Sequence, residues 1–406
     1  MKRFPSLIAI LVLCLLLAGC GQRHVSNSPL DGIRDEIIVS LGSADPVILN
    51  EKLLFTLYGI EERDYTEMGA YQAMWGIFPD ECIMVRATED GIGRVQEALQ
   101  SHLDSVLAQS ANYDPETNAV ARKCRVSVDG QYVSLFLSAS HERMEELYRS
   151  HFDGSGPVVT PVPTPEPTPE PEPSPEPTPE PTPEPVYGLV HACDPVDESW
   201  FDDVIFVGDS VEFIFSRYML YYQSSIDPAS MANTVFFTAS NFSYRMAATD
   251  LYDISMFPAY EGVNMRVEDA VQKSGAKKLY IGMGPNDIAF RSIDQVDKTM
   301  EYADTVLRRV RENNPDVQIF LMAMTPRPAG HDGECMNNAL IQKYNAKLLA
   351  YAEGHQMYFI DLFEALSDES GCMPMEWCTD PDKAAVHPSY PGCEAWRQYL
   401  YTHVPG

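Results

Sequence analysis

The second half of the chain opens on the stretch Phe206-Val207-Gly208-Asp209-Ser210. An apolar run from Val204 to Val207 ends in a Gly-Asp-Ser turn, and a new apolar segment begins at Val211. This order predicts a strand that feeds a helix, with a serine at the junction. A serine there can present its hydroxyl together with a free amide at a helix N-terminus, so Ser210 is a candidate nucleophile. Ser210 could instead serve only as the N-cap of the helix.

Short apolar segments alternate with longer segments of helical spacing over residues 188–406. The predicted strands are Val204–Val207, Thr234–Thr238, Lys278–Met283, Gln318–Ala323 and Met357–Ile360. The predicted helices are Val211–Tyr222, Val267–Ser274, Asp294–Asn313, Asn337–Gly354 and Gly392–Thr402. Such alternation predicts an α/β fold, a doubly wound parallel sheet covered on both faces. Ligands bind such sheets at the carboxyl ends of the strands, where Ser210 would lie.

Two further stretches carry side chains that suit ester cleavage. The third predicted strand ends in Gly284-Pro285-Asn286-Asp287, and Ala385-Val386-His387-Pro388 lies just before the last helix. Serine supplies a nucleophile, and histidine takes its proton and returns it to the leaving group. An asparagine amide and the serine N–H can stabilise the oxyanion. Asn286 could instead only cap a turn, and His387 could be an ordinary loop histidine.

These motifs resemble those of the SGNH (GDSL) hydrolases. Gly208-Asp209-Ser210 matches the first block of that family, Gly284-x-Asn286-Asp287 the third, and His387 the fifth. The resemblance covers roughly residues 197–406 and implies a flavodoxin-like three-layer sandwich. It also implies a serine esterase with Ser210 as nucleophile and His387 as base. The implied oxyanion donors are Ser210, Asn286 and Gly284, and no cofactor or metal is implied.

The chain departs from the family pattern at two positions. The family places an aspartate three residues before the histidine, where this chain has Ala384. Asp382 and Asp380 lie five and seven residues before His387; we take Asp382 as the third catalytic residue, with a Ser–His dyad as the alternative. The second-block glycine, an oxyanion donor in the family, is also not evident. The segment 240–243, Ser-Asn-Phe-Ser, could supply that amide from another residue type.

A smaller domain is predicted over residues 31–153. Helical spacing and two strand signals around the Asp129-Gly130 turn predict an α+β fold. Its pattern resembles a domain of unknown function found in small lipoproteins of Gram-positive bacteria, and no group of side chains within it suggests chemistry.

The ends of this domain are joined to segments of a different kind. Residues 1–19 have a positive start and an apolar run too short to span a membrane, and Leu17-Ala18-Gly19-Cys20 resembles a bacterial lipoprotein signal. We therefore expect lipidation at Cys20, a tether over 20–30 and a location on the outer face of the membrane. The alternative is an ordinary secretory signal in which Cys20 is not lipidated. Residues 154–187 repeat Thr-Pro-Glu-Pro units, which favour an extended linker.

Composition excludes some partners. The net charge of −30 argues against nucleic acid as a binding partner. The chain has 9 cysteines, none in a C-x-x-C pair, and Cys82 and Cys124 could form a disulfide in the first domain.

Location and resemblance together predict an exported, lipid-anchored esterase that acts on an acylated glycan or another ester of the cell envelope, with O-acetyl groups as the expected substrate. The alternatives are an O-acetyltransferase on the same fold and a non-catalytic lipoprotein that binds glycan or acts as a scaffold.

Overall fold

A computed structural model describes residues 26–43, 45–74, 78, 80–111, 113–152, 186–288, 295–331 and 336–406. The predicted signal peptide with Cys20, and nearly all of the linker over 154–187, lie outside the described residues. None of the helices within these ranges combines the length and the apolar character needed to cross a lipid bilayer.

The N-terminal domain is an antiparallel sheet with helices on both faces. Its strands are β1 (Pro46–Ile48), β2 (Tyr65–Ala73), β3 (Glu81–Ala87), β4 (Val126–Asp129) and β5 (Tyr132–Leu137), in the order β1-β2-β3-β5-β4. Its helices are α1 (Leu30–Leu41), α2 (Glu51–Tyr58), α3 (Ile92–Ser110), α4 (Pro115–Ala121) and α5 (His141–Ser150). The side chains of β3 alternate between two cores: Cys82 and Met84 face α1 and α5, whereas Ile83 and Val85 face α2 and α3.

The C-terminal domain is built on a six-stranded parallel sheet. Its strands are β6 (Gly188–Leu189), β7 (Val204–Gly208), β8 (Val235–Thr238), β11 (Lys278–Gly282), β12 (Gln318–Met322) and β13 (Tyr358–Ile360), and β9 (Ala259–Tyr260) pairs with β10 (Val263–Asn264) in a separate hairpin. The helices are α6 (Ser210–Ser225), α7 (Tyr244–Ala248), α8 (Val267–Ser274), α9 (Pro285–Ile288), α10 (Gln295–Asn313), α11 (Asn338–Gly354), α12 (Leu362–Ala365) and α13 (Tyr390–Thr402).

The strand order explains where a site can form. The sheet runs β6-β13-β12-β11-β7-β8, so the chain moves to one side of β7 to add β8 and to the other side to add β11. Strand order reverses between β7 and β11, and doubly wound sheets bind ligands in the crevice at such a point. The chain segments that follow β7 and β11 carry Ser210 and Asn286. The predicted α/β class and parallel sheet are confirmed.

The possible disulfide between Cys82 and Cys124 is not formed. Both side chains are buried free thiols. Cys82 belongs to the core under α1 and α5, and Cys124 to the core on the opposite face of the sheet. The sheet therefore separates the two sulfur atoms.

The two domains pack directly against each other. Arg217 of α6 is 2% exposed, and its Nη2 donates to the carbonyl of Ala73 at the end of β2 over 2.7 Å. On α3, the Ser105 hydroxyl donates to Asn264 Oδ1 over 3.0 Å, and the Gln109 amide to the carbonyl of Phe257 over 3.3 Å. One continuous apolar core contains side chains from both domains. The N-terminal domain is thus part of the surface around the C-terminal sheet.

Candidate active site

Ser210 is the first residue of α6, immediately after the buried strand β7. Asp209 is the N-cap: its carboxylate accepts the Val211 N–H over 3.0 Å, while the Glu212 carboxylate accepts the Asp209 N–H over 3.1 Å. The alternative that Ser210 itself caps the helix is therefore wrong. Because Ser210 begins the helix, its own N–H has no partner within the helix.

His387 and Asp380 complete a chain of hydrogen bonds that ends on Ser210. The His387 Nε2 atom lies 2.9 Å from Ser210 Oγ, and its Nδ1 atom lies 2.8 Å from Asp380 Oδ2. Ser210 and His387 are each 2% exposed. When Nδ1–H donates to the carboxylate, Nε2 is the acceptor for the serine proton, which is the arrangement that general-base activation of a serine requires.

The prediction that Asp382 reaches the imidazole is wrong, since Asp380 occupies that place. An antiparallel bridge joins Cys378 to Pro388, and the Thr379 N–H donates to the His387 carbonyl over 2.9 Å. This pairing brings residue 380 beside the imidazole. Asp382 lies in the exposed turn that closes the loop. The loop is longer than the three-residue spacing of the family, and the pairing of its two arms determines which aspartate faces inward.

The Asp380 carboxylate is surrounded by donors. It accepts backbone N–H groups from Ala385, Val386 and His387 over 3.1–3.2 Å, besides the imidazole. Burial acts to raise the pKa of Asp380, but the hydrogen bond and the charge of His387 outweigh it and lower that pKa below its ordinary value. Asp380 is thus held as a carboxylate that can fix the orientation and tautomer of His387.

Arg327 also supports the loop that carries Asp380 and His387. Its side chain is 2% exposed, and its Nη2 donates to the carbonyl of Ala384 over 2.9 Å and lies 3.2 Å from His331 Nδ1. Arg327 is therefore a structural support of the loop that carries His387 and does not face a substrate.

Asn286 joins two loops of the crevice. Its Nδ2 atom donates to the backbone carbonyls of Ser240 over 3.1 Å and Phe242 over 2.9 Å. A side-chain amide has two N–H donors, so both are directed at the segment after β8. In this structure Asn286 fixes the 240–243 segment against the turn after β11, and its predicted role as an oxyanion donor stays a prediction.

Gly284 shapes the turn before Asn286. Its φ is +148°, and a Cβ at this position would lie 2.9 Å from the Met324 sulfur, so a larger residue is excluded. The Gly284 carbonyl accepts the N–H groups of Asp287 and Ile288 over 2.9 and 3.0 Å. These contacts explain why the turn has a glycine at position 284. Its predicted role as an oxyanion donor stays a prediction.

Two buried carboxyl groups lie beneath the nucleophile. The Glu212 side chain fills the space beside the last residues of β7 and β11: a Cβ on Gly208 would lie 2.3 Å from Glu212 Cγ, and one on Gly282 2.0 Å from its Oε1. Burial raises the pKa of Asp209 to about 7 and that of Glu212 well above its usual range. Ser210 therefore lies next to two buried carboxyl groups whose pKa values are both raised.

Tyr113 of the N-terminal domain also reaches the nucleophile. Its hydroxyl donates to Ser210 Oγ over 2.9 Å. Burial raises the pKa of Tyr113 above its ordinary value, and the charges of Asp209 and Asp380 add to that rise, although the hydrogen bond to Ser210 acts the other way. Sequence reasoning missed this residue, since no motif of the N-terminal domain points to chemistry.

The described residues hold no group of three or more histidine, cysteine, aspartate and glutamate side chains placed to bind a metal ion. Proton transfer, nucleophilic attack and oxyanion stabilisation are the chemistry that the side chains at Ser210 can supply.

Comparison with curated protein sequences gives no match to this chain. Among solved structures, a GDSL-like lipase from Bacteroides thetaiotaomicron is 15% identical, with a TM-score of 0.36, over 51% of this chain and 89% of its own. An acetyl xylan esterase is 16% identical, with a TM-score of 0.36, over 49% and 97%. A peptidoglycan O-acetylesterase is 15% identical, with a TM-score of 0.31, over 41% and 44%.

Two family profiles match the chain. The profile of the domain of unknown function DUF4358 matches residues 45–138, within the predicted N-terminal domain. The profile of the GDSL-like lipase/acylhydrolase family matches residues 249–395, a range that contains Asn286, Asp380 and His387 but begins after Ser210. The C-terminal half of the chain thus contains a GDSL-like lipase/acylhydrolase domain over residues 249–395, and a DUF4358 domain precedes it in the same chain.

Proposed function

We propose that this chain is a serine esterase in which Ser210 attacks the ester carbonyl, His387 is the general base and then the acid, and Asp380 orients the imidazole. The observation that carries the proposal is the continuous set of contacts from Ser210 Oγ to His387 Nε2, 2.9 Å, and from His387 Nδ1 to Asp380, 2.8 Å. An intact Ser-His-Asp arrangement is the established means of acyl transfer through a covalent intermediate.

Hydrolysis takes two half-reactions at the same residues. In the first, the Ser210 proton moves to His387 Nε2 as Oγ bonds to the carbonyl carbon; the alcohol then leaves with that proton, and the acyl group stays on Ser210. In the second, His387 takes a proton from water, the hydroxide attacks the acyl carbon, and the acid is released as Ser210 recovers its proton. The Ser210 N–H at the start of α6 is one donor for the oxyanion of both steps.

The proposed substrate is a small acyl ester, an O-acetyl group on peptidoglycan or another glycan of the cell envelope. Ser210 and His387 are each 2% exposed, so the nucleophile has little open space above it for a long acyl chain. The lipoprotein-like segment ending at Cys20 and the Pro-Glu linker support a location outside the cell, anchored to the membrane and reaching into the envelope. The membrane is then a partner through the lipid on Cys20.

The test is hydrolysis of a chromogenic acetyl ester by the wild-type protein and by Ser210→Ala. We expect activity in the wild type and its loss in the variant, with both proteins folded by thermal unfolding. Equal activity in the two proteins would remove Ser210 from the mechanism. Butyryl and octanoyl esters, run alongside, test the preference for a small acyl group, and an acetylated glycan tests the class of acceptor.

A further inference from the structure

The Tyr113 backbone is joined to the end of α3, because its own N–H donates to the Ser110 carbonyl over 3.2 Å. The next residue, Asp114, caps α4 by accepting the Thr117 N–H over 3.0 Å. On the preceding helix, Ser105 and Gln109 hold α3 against the C-terminal domain. The Tyr113 hydroxyl therefore reaches Ser210 across the interface between the domains.

The direction of the hydrogen bond follows from the partners of Ser210. Ser210 Oγ has two neighbours at 2.9 Å, His387 Nε2 and the Tyr113 hydroxyl. A hydroxyl carries a single proton, and the serine proton is directed to the imidazole. Tyr113 must therefore donate, so the active site holds a polar O–H group that aims at the reacting oxygen.

Such a donor bears on the oxyanion, because two positions of the family's oxyanion pattern differ in this chain. Both Nδ2 hydrogens of Asn286 are directed at the carbonyls of Ser240 and Phe242. No glycine lies between Ser210 and Gly262, so the family's second-block glycine is absent from that segment. The negative charge forms on an oxygen bonded to the carbon that Oγ attacks. A hydroxyl 2.9 Å from Oγ is within reach of that oxygen after a small rotation.

We propose that Tyr113 is a catalytic residue of the ester hydrolase, a side-chain donor to the oxyanion that the N-terminal domain contributes across the domain interface. In the first half-reaction Oγ bonds to the carbonyl carbon, the carbonyl π pair moves onto oxygen, and the serine proton goes to His387 Nε2. Tyr113 turns its O–H from Oγ to the new oxyanion and keeps its own proton. When the carbonyl reforms and the alcohol leaves with the proton of His387, the Tyr113 bond weakens again.

This proposal rests on the proposed esterase activity and assigns a function to the N-terminal domain. The catalytic site is composite: the DUF4358 domain supplies the Tyr113 hydroxyl as a hydrogen-bond donor, and the GDSL-like domain supplies Ser210, His387 and Asp380.

The experiment measures kcat and KM of the full chain with a chromogenic acetyl ester for Tyr113→Phe, which removes only the hydroxyl. Tyr148→Phe is the matched control, since Tyr148 is a buried tyrosine of the same domain that packs on Phe136 and Phe152. We expect kcat of Tyr113→Phe to fall by about 10²–10³-fold with little change in KM, the loss typical of one oxyanion donor. Tyr148→Phe should keep the wild-type kcat.

Three results would overturn the proposal: an unchanged kcat in Tyr113→Phe, a fall that appears only as a raised KM, or a higher kcat in Tyr113→Phe or Tyr113→Ala. The last result would mean that Tyr113 obstructs the nucleophile. The proposed esterase activity fails separately, through an inactive wild type or an active Ser210→Ala. Thermal unfolding shows that each variant is folded.

Discussion

At the scale of single residues, the main correction concerns which aspartate serves the histidine. Asp380 and Asp382 both precede His387, and the sequence distance favours Asp382. The pairing of residues 378–379 with 387–388 decides otherwise, because it places residue 380 next to the imidazole and residue 382 at the exposed tip. Spacing along a loop does not reveal how its two arms pair, so this choice needs the structure.

The two aspartates offer a matched pair of variants. Replacing Asp380 by asparagine keeps its size but removes the acceptor that fixes the His387 tautomer, so we expect kcat to fall by about 10³–10⁴-fold. Asp382→Asn makes the same chemical change in the exposed turn and should retain activity within about twofold. Acetyl-ester hydrolysis measures both. A larger loss in Asp382→Asn than in Asp380→Asn would contradict the arrangement of the loop.

The raised pKa of Asp209 predicts how the stability of the folded chain depends on pH. Its ordinary pKa of 3.8 is raised by burial to about 7, so between these values the folded chain holds a proton that the unfolded chain has released. The free energy of unfolding therefore falls as pH rises from about 4 to 7, and this contribution levels off above 7. Asp209→Asn keeps the helix cap but cannot titrate.

Urea unfolding of wild type and Asp209→Asn at several pH values measures this effect. We expect the slope between pH 4 and 7 to become less negative in the variant, by up to about 1.4 kcal/mol per pH unit. Parallel curves for the two proteins would show that Asp209 is already ionised at low pH.

At the scale of elements, the five longer strands of the parallel sheet were predictable, because strands buried on both faces appear in the sequence as short continuous apolar runs. Lys278–Met283 was expected and Lys278–Gly282 is observed. The edge strand β6, Gly188–Leu189, was not predicted, since two residues give no periodicity. The short helix α4 is not predicted either, because its seven residues make only about two helical turns, although Asp114 and Pro115 are an N-terminal signal.

The Asn286 side chain predicts a local effect on the segment after β8. Asn286→Ala removes both donors to the carbonyls of Ser240 and Phe242, so the 240–243 segment loses its connection to the turn after β11. We expect faster amide hydrogen exchange in residues 239–243 and a lower kcat, with strand β12 unchanged as the internal control. Exchange that is unchanged in 239–243 would mean that this loop is held by other contacts.

At the scale of the whole molecule, a buried polar network joins the two domains. Arg217 donates to Gln72 Oε1 and to the Ala73 carbonyl, and Gln72 in turn donates to Glu81 Oε1 over 3.0 Å. Burial lowers the pKa of Arg217 to about 10, and the charges of Tyr58 and Glu81 oppose that change. Arg217 lies in one predicted domain and Gln72 and Ala73 in the other, and neither segment contains a sequence motif that indicates their contact. The contact of Tyr113 with Ser210 is not predictable from the sequence for the same reason.

Arg217→Met tests whether this contact holds the domains together. Loss of the guanidinium leaves buried acceptors at Gln72 and Ala73 without their donor, so we expect the free energy of unfolding to fall by about 1–3 kcal/mol. Activity should fall as well, because Tyr113 depends on the interface. Arg308→Met, on the exposed side of α10, should change stability by less than about 0.5 kcal/mol. Equal stability of the two variants would contradict a buried interface at Arg217.

The central claim is that Ser210 is a nucleophile activated by His387, and covalent labelling tests it most directly. The full chain is treated with a fluorophosphonate, digested, and the modified residue is located by mass spectrometry in wild type, His387→Ala and Asp382→Asn. The account predicts one adduct, on Ser210, in the wild type and in Asp382→Asn, and its loss in His387→Ala. An adduct on another serine, or no adduct on the folded wild-type protein, would contradict it.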